Sequence, residues 1–137
     1  MKNKKKSRID TYYCEVYDIY LVVANRYATL EELQRAFTYS DDTPLDSRVT
    51  DCLATTTGCR RIKDKAYCIL VKDNKSGSCT SRDKHLDYIN TISHEATHVA
   101  LDIYEAMSQN ICYCTPEPFC YLQAWAMERI YKTLFNK

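Results

Sequence analysis

His94, Glu95 and His98 fall within five residues in the order His-Glu-x-x-His. Imidazole nitrogens are good zinc ligands, and a carboxylate beside the metal can take a proton from the water it activates. The spacing has chemical meaning only on a helix. There, residues four apart sit above one another, about 6 Å apart along the axis, so both imidazoles face one tetrahedral ion while Glu95, one step round, flanks it. The reaction these residues suit is metal-assisted hydrolysis, with Glu95 as the general base.

The element that must hold them is the stretch 84–107, in which Leu86, Ile89, Ser93, Ala96, Ala100, Ile103 and Met107 recur in steps of three and four. That period predicts one long helix with this apolar or small face turned inward. Zinc needs a third protein ligand. Asp102 continues the histidine row but lies about 12 Å along the axis from His94, and His85 is as far on the other side. Glu117 stands at the start of a second predicted helix, 116–135, whose Pro and Glu in the first turn are ordinary start signals. Packed antiparallel, that helix is expected to bring Glu117 to the metal; the other reading of Glu117 is a charge favouring the helix dipole. Asp102 is read either as a hydrogen-bond acceptor for a ligand side chain or as a solvated carboxylate. Tyr113 and Tyr121 are candidate donors to an oxyanion, two among twelve tyrosines.

The run His94-Glu95-Ala96-Thr97-His98, with a glutamate nineteen residues past His98, resembles the gluzincin branch of the zincin metallopeptidases, of which thermolysin is the familiar member. Asp102 fits as well, since HEATHVALD resembles HExxHxxxD. The resemblance covers 85–134 and is closer to the small single-domain zincin-like proteins of bacteriophages and prophages. It implies a minimal zincin-like fold and a zinc metallopeptidase acting on a peptide or protein, with His94, His98 and Glu117 as metal ligands. Tyr121 stands where an acidic residue four positions after the glutamate is expected. In zincins the sheet edge beside the metal holds an extended peptide by main-chain pairing, which points here to 65–72 or a neighbouring strand. The alternative is a catalytically inactive zincin-like phage accessory or virion-associated protein with a structural metal and a phage or host protein partner. A third reading is a regulatory protease that cleaves a repressor.

Length and composition bound these readings. The 137 residues are enough for one domain, expected over 11–137, behind a basic disordered tail at 1–10. Lys2, Lys4, Lys5, Lys6 and Arg8 carry +5, leaving 14 basic residues against 18 acidic ones, so the body is mildly acidic. The tail reads as a solvated segment, and nucleic-acid binding is not expected of the domain. No secretory signal or membrane span is legible, which predicts a cytoplasmic protein of a bacterium or infected host. On that basis the eight cysteines are read as reduced, with Cys14, Cys68 and Cys120 in the core. Cys112, Cys114 and Cys120 give a weak signal for a thiolate metal site, because no CxxC pair exists.

The remaining elements follow from period and punctuation. The stretch 11–24 is rich in Tyr, Val and Ile and predicts a strand, apolar on both faces at its end and therefore central. Thr29 caps a helix with Glu32 as its capping-box partner and Leu30, Leu33 and Phe37 inward. Three β-prone stretches follow at 49–57, 59–63 and 65–72, then a turn at 73–78 and capping residues at 80–83. This order, strand, helix, strands, then two helices, predicts an α+β domain: a twisted, mostly antiparallel sheet with the HExxH helix and the C-terminal helix packed on one side.

Overall fold

The computed structural model describes residues 6–74 and 84–135. Most of the basic tail and the expected capping residues at 80–83 lie outside them. The order is β1 (Ile9–Cys14), β2 (Ile19–Ala24), α1 (Leu30–Ala36), β3 (Phe37–Tyr39), a 3-10 turn (Ser47–Val49), β4 (Ala54–Arg61), β5 (Tyr67–Asp73), α2 (Lys84–Ala106) and α3 (Glu117–Phe135). The architecture is α+β, with one five-stranded sheet ordered β1-β2-β5-β4-β3. Only β2 and β5 are parallel; the other three pairings are antiparallel.

The sheet is apolar on both faces. Along β2, Ile19, Leu21 and Val23 face one core with Ile69 and Val71 of β5, and α2 and α3 close that side with Ile92, Ala96, Val99, Ile103, Leu122 and Ile130. Val22 and Ala24 face the opposite core, where Leu70, Leu33 of α1, Phe37, Leu45 and Val49 meet. This is the continuous apolar run of a strand buried on two faces, as predicted for the end of 11–24.

Several elements differ from the sequence expectation. The stretch 11–24 is a hairpin: β1 begins at Ile9, the chain turns through Asp18 at φ 50°, and Val16 is 84% exposed at the turn. Asparagine and aspartate tolerate that left-handed backbone, so the reversal needs no glycine. The β-prone stretches 49–57, 59–63 and 65–72 become two strands, β4 passing through Gly58 unbroken. β5 lies between β2 and β4, so the stretch 65–72 supplies no sheet edge. α1 has its full capping box at Thr29 and Glu32 but covers the face opposite α2 and α3.

α2 matches the predicted range within a residue, yet its inner face is rotated. Ile92, Glu95, Ala96, Val99, Ala100, Ile103 and Tyr104 are buried, whereas Leu86, Ile89 and Met107 stay exposed. The helix ends in a Schellman turn: Ser108 adopts φ 52°, and the amide of Gln109 donates to Tyr104 O at 2.8 Å. α3 then returns antiparallel, Phe119 stacking edge-on against Tyr104 and Gln123 donating to Thr97. Cys14 and Cys68 are buried as expected, but Cys120 is exposed on α3. No described helix is long and apolar enough to cross a membrane.

Candidate metal centre

α2 lies over β5 and β4, while α3 lies over β2 and β1. On α2, Thr97 and Tyr104 turn to α3, and Ile92, Ala96, Val99 and Ile103 turn into the core that the sheet and α3 share. Glu95 meets β4. His94 and His98 remain for the solvent face, and both are exposed. Their Nε2 atoms are 3.2 Å apart, with rings inclined at 70°. Two nitrogens about 2.0–2.1 Å from one tetrahedral zinc are separated by about 3.3 Å. The imidazole pair therefore fits two ligands of a single zinc ion.

Glu95 is 5% exposed, and its Oε2 accepts a hydrogen bond from the hydroxyl of Thr56 on β4. A buried carboxylate needs such a donor, and the threonine at this pleat position is the residue that reaches it. The other carboxylate oxygen carries no hydrogen bond among the described residues. Glu95 is thus held at one oxygen by β4.

Asp102 sits one turn beyond His98 and lines a cavity of about 810 Å³ with Tyr20, Gly58, Arg60, Tyr67 and Glu105. Half-burial raises its carboxyl above the usual range, and nearby His98 opposes the rise. On its wall Gly58 lets the Tyr67 hydroxyl come close: a Cβ there would lie 2.6 Å from it. Burial also raises the Tyr67 phenol above its ordinary value.

The structure does not bring Glu117 to the histidine pair. The helices are antiparallel as expected, but the Tyr104–Phe119 contact places Glu117 level with the last turn of α2. That is about 12 Å beyond His98 along the axis. α3 also flanks the side of α2 marked by Thr97, not its solvent face. Tyr113, in the α2–α3 connection, and Tyr121, on α3, are 94% and 71% exposed and make no hydrogen bond to the pair. His85 packs on Phe135 at the far end of α2. Among the described residues no group of three or more His, Cys, Asp or Glu side chains could hold a metal ion.

Two features were missed in the sequence. One is Thr56, whose partner is 39 residues away. The other is the side of β4 that faces away from β5. Leu53 accepts from the amide of Asn74, and the amide of Arg61 donates to Ala66 O, so the odd-numbered residues of β4 bond to β5. The amides and carbonyls of Ala54 and Thr56 therefore point outward. β3 pairs only with Cys59, Arg60 and Arg61, and no described strand covers 54–57. The only sequence trace of this edge is the threonine run Thr55-Thr56-Thr57, which suits a strand but names no neighbour. No protein-family model, curated protein or solved structure matches this chain.

Proposed function

We propose that this protein is a zinc-dependent hydrolase of the metallopeptidase kind, with a zincin-like site and an extended peptide as substrate. The observation that carries the reading is the 3.2 Å separation of the His94 and His98 Nε2 atoms beside a carboxylate anchored from β4. A zinc ion held there supplies Lewis acidity that lowers the pKa of water and polarises a carbonyl. Glu95 takes the proton of the attacking water at the oxygen that Thr56 does not engage and passes it to the leaving amine, while Thr56 keeps the carboxylate aimed. A peptide laid along β4 has the outward amides and carbonyls of Ala54 and Thr56 to pair with. The cavity beyond His98 has room for a substrate side chain, its volume lying within the ordinary range of ligand sites.

The placement of Glu117 favours a second reading, a non-catalytic domain whose histidine pair holds metal for stability or for a protein partner that completes the coordination. Metal analysis separates these from coincidence. Protein purified without added metal is expected to carry about one zinc per chain, lost in His98→Ala. Glu95→Gln is expected to keep the zinc and lose peptide hydrolysis. Zinc absent from the wild type, or surviving His98→Ala, overturns both readings. Hydrolysis unchanged in Glu95→Gln overturns the catalytic one.

A further inference from the structure

The cavity beyond His98 is lined by more negative charge than positive. Asp102 and Glu105 of α2 both line it, and their spacing of three makes them neighbours on the helix surface. Among the described residues neither carboxylate accepts a hydrogen bond or joins an ion pair. Asp18 adds a third carboxylate to the lining, where it accepts from the Tyr13 hydroxyl. Arg60 is the one cation of the lining. Its guanidinium is turned to backbone, Nε donating to Ser40 O at 3.1 Å and Nη1 to Lys65 O at 3.2 Å. Asp102 is half-buried, and a carboxylate partly withdrawn from water with no partner of its own favours a ligand that brings a positive N–H donor.

The shape of the cavity narrows the kind of cation. Among the described residues no group of three or more His, Cys, Asp or Glu could hold a metal ion, so the two free carboxylates suit an organic head group. Ile19, Tyr67 and Met107 give the lining an apolar and aromatic part, which suits the methylene stem behind such a head. We propose that this cavity is a subsite for a cationic side chain, with Asp102 and Glu105 as the residues that select Lys or Arg in the substrate. As a substrate subsite it rests on the hydrolytic reading; its preference for a cation does not. Asp102 lies one turn beyond His98, about 6 Å along α2, which is the span of about two residues of an extended chain. A peptide paired along β4 therefore carries its basic residue within about two positions of the cleaved bond.

The test uses two probes of the same shape, Nα-acetyl-arginine amide and its uncharged counterpart Nα-acetyl-citrulline amide. Each is titrated into the full-length protein stripped of metal with a chelator, and the amide resonances of Gly58, Asp102 and Glu105 are followed. The arginine probe is expected to bind at least about tenfold more tightly than the citrulline probe, the margin that one charge-assisted hydrogen bond supplies. The double variant Asp102→Asn, Glu105→Gln is expected to bring the two affinities within about twofold of each other. His98→Ala is expected to keep the wild-type preference, so failure of the hydrolytic reading and failure of the cation subsite give different results. Equal affinities of the two probes for the wild type, or saturation by neither, overturn the proposal. So does an arginine preference that survives in the double variant. Offered a mixture of peptides, the zinc-loaded protein is expected to cleave within about two residues of Lys or Arg, and cleavage at sites with no basic residue there overturns the assignment as a substrate subsite.

Discussion

Replacing Thr56 by valine removes one hydroxyl while keeping a β-branched side chain at an interior pleat position of β4. Its hydroxyl is the hydrogen-bond donor to Glu95, a carboxylate with 5% exposure between α2 and the sheet. A hydrogen bond to a charged group is worth about 1.5–3 kcal/mol, and the group left behind bears the desolvation cost. Thr56→Val is therefore expected to lower the unfolding free energy by about 2 kcal/mol, with Thr56→Ser within about 0.5 kcal/mol of wild type. The assay is urea unfolding at pH 7, read at constant slope so that a shift in midpoint is a shift in stability. Glu95→Gln supplies the second edge of a double-mutant cycle, since a neutral amide in place of the carboxylate shrinks the cost of losing the hydroxyl. Zinc content is expected to be unchanged in Thr56→Val, because His94 and His98 stand on the solvent face, while hydrolysis falls because Glu95 is no longer aimed. A cost below about 0.5 kcal/mol, or one of equal size in the Glu95→Gln background, would refute the reasoning.

Glu117→Gln is expected to leave zinc affinity within about twofold of wild type; a loss of tenfold or more, as removal of a ligand or its supporting group gives, would mean that α3 moves on metal binding. Gly58→Ala drives a Cβ against the Tyr67 hydroxyl and is expected to cost about 1–3 kcal/mol, less in a Tyr67→Phe background, as thermal unfolding of the four proteins would reveal. Arg61 beside it depresses the Asp64 carboxyl to about 2. The stabilisation from that depression is complete above the unfolded carboxyl's ordinary pKa, near 4, and vanishes as pH falls through about 2. The stability difference between wild type and Asp64→Asn is thus expected to shrink between pH 5 and pH 2; a constant difference would assign the effect to packing. Ser108→Gly, at the left-handed end of α2, is expected to raise stability by roughly 0.5–1 kcal/mol, measurable as a higher urea midpoint.

What the sequence determined was whatever rests on short-range geometry. The period of 84–107 makes one helix, a helix places residues four apart on one row, and so His94 and His98 had to stand side by side. The Thr29–Glu32 capping box, the start of α3 at Glu117 and the double-sided burial of 19–24 are local in the same sense. Tertiary structure alone decided the rest, because each depends on which distant surface an element meets. α2 carries small and apolar residues on more than half its circumference, so its period is compatible with several rotations; packing against β4 and β5 chose the one that buries Glu95 and Val99 and leaves Leu86 and Met107 outside. The strand order placed 65–72 in the interior and left the outer side of 54–57 without a described strand. The antiparallel register of α3, fixed by Phe119 against Tyr104, set Glu117 a long way up the helix from the histidines. A separation of nineteen residues in sequence carries no information about that register.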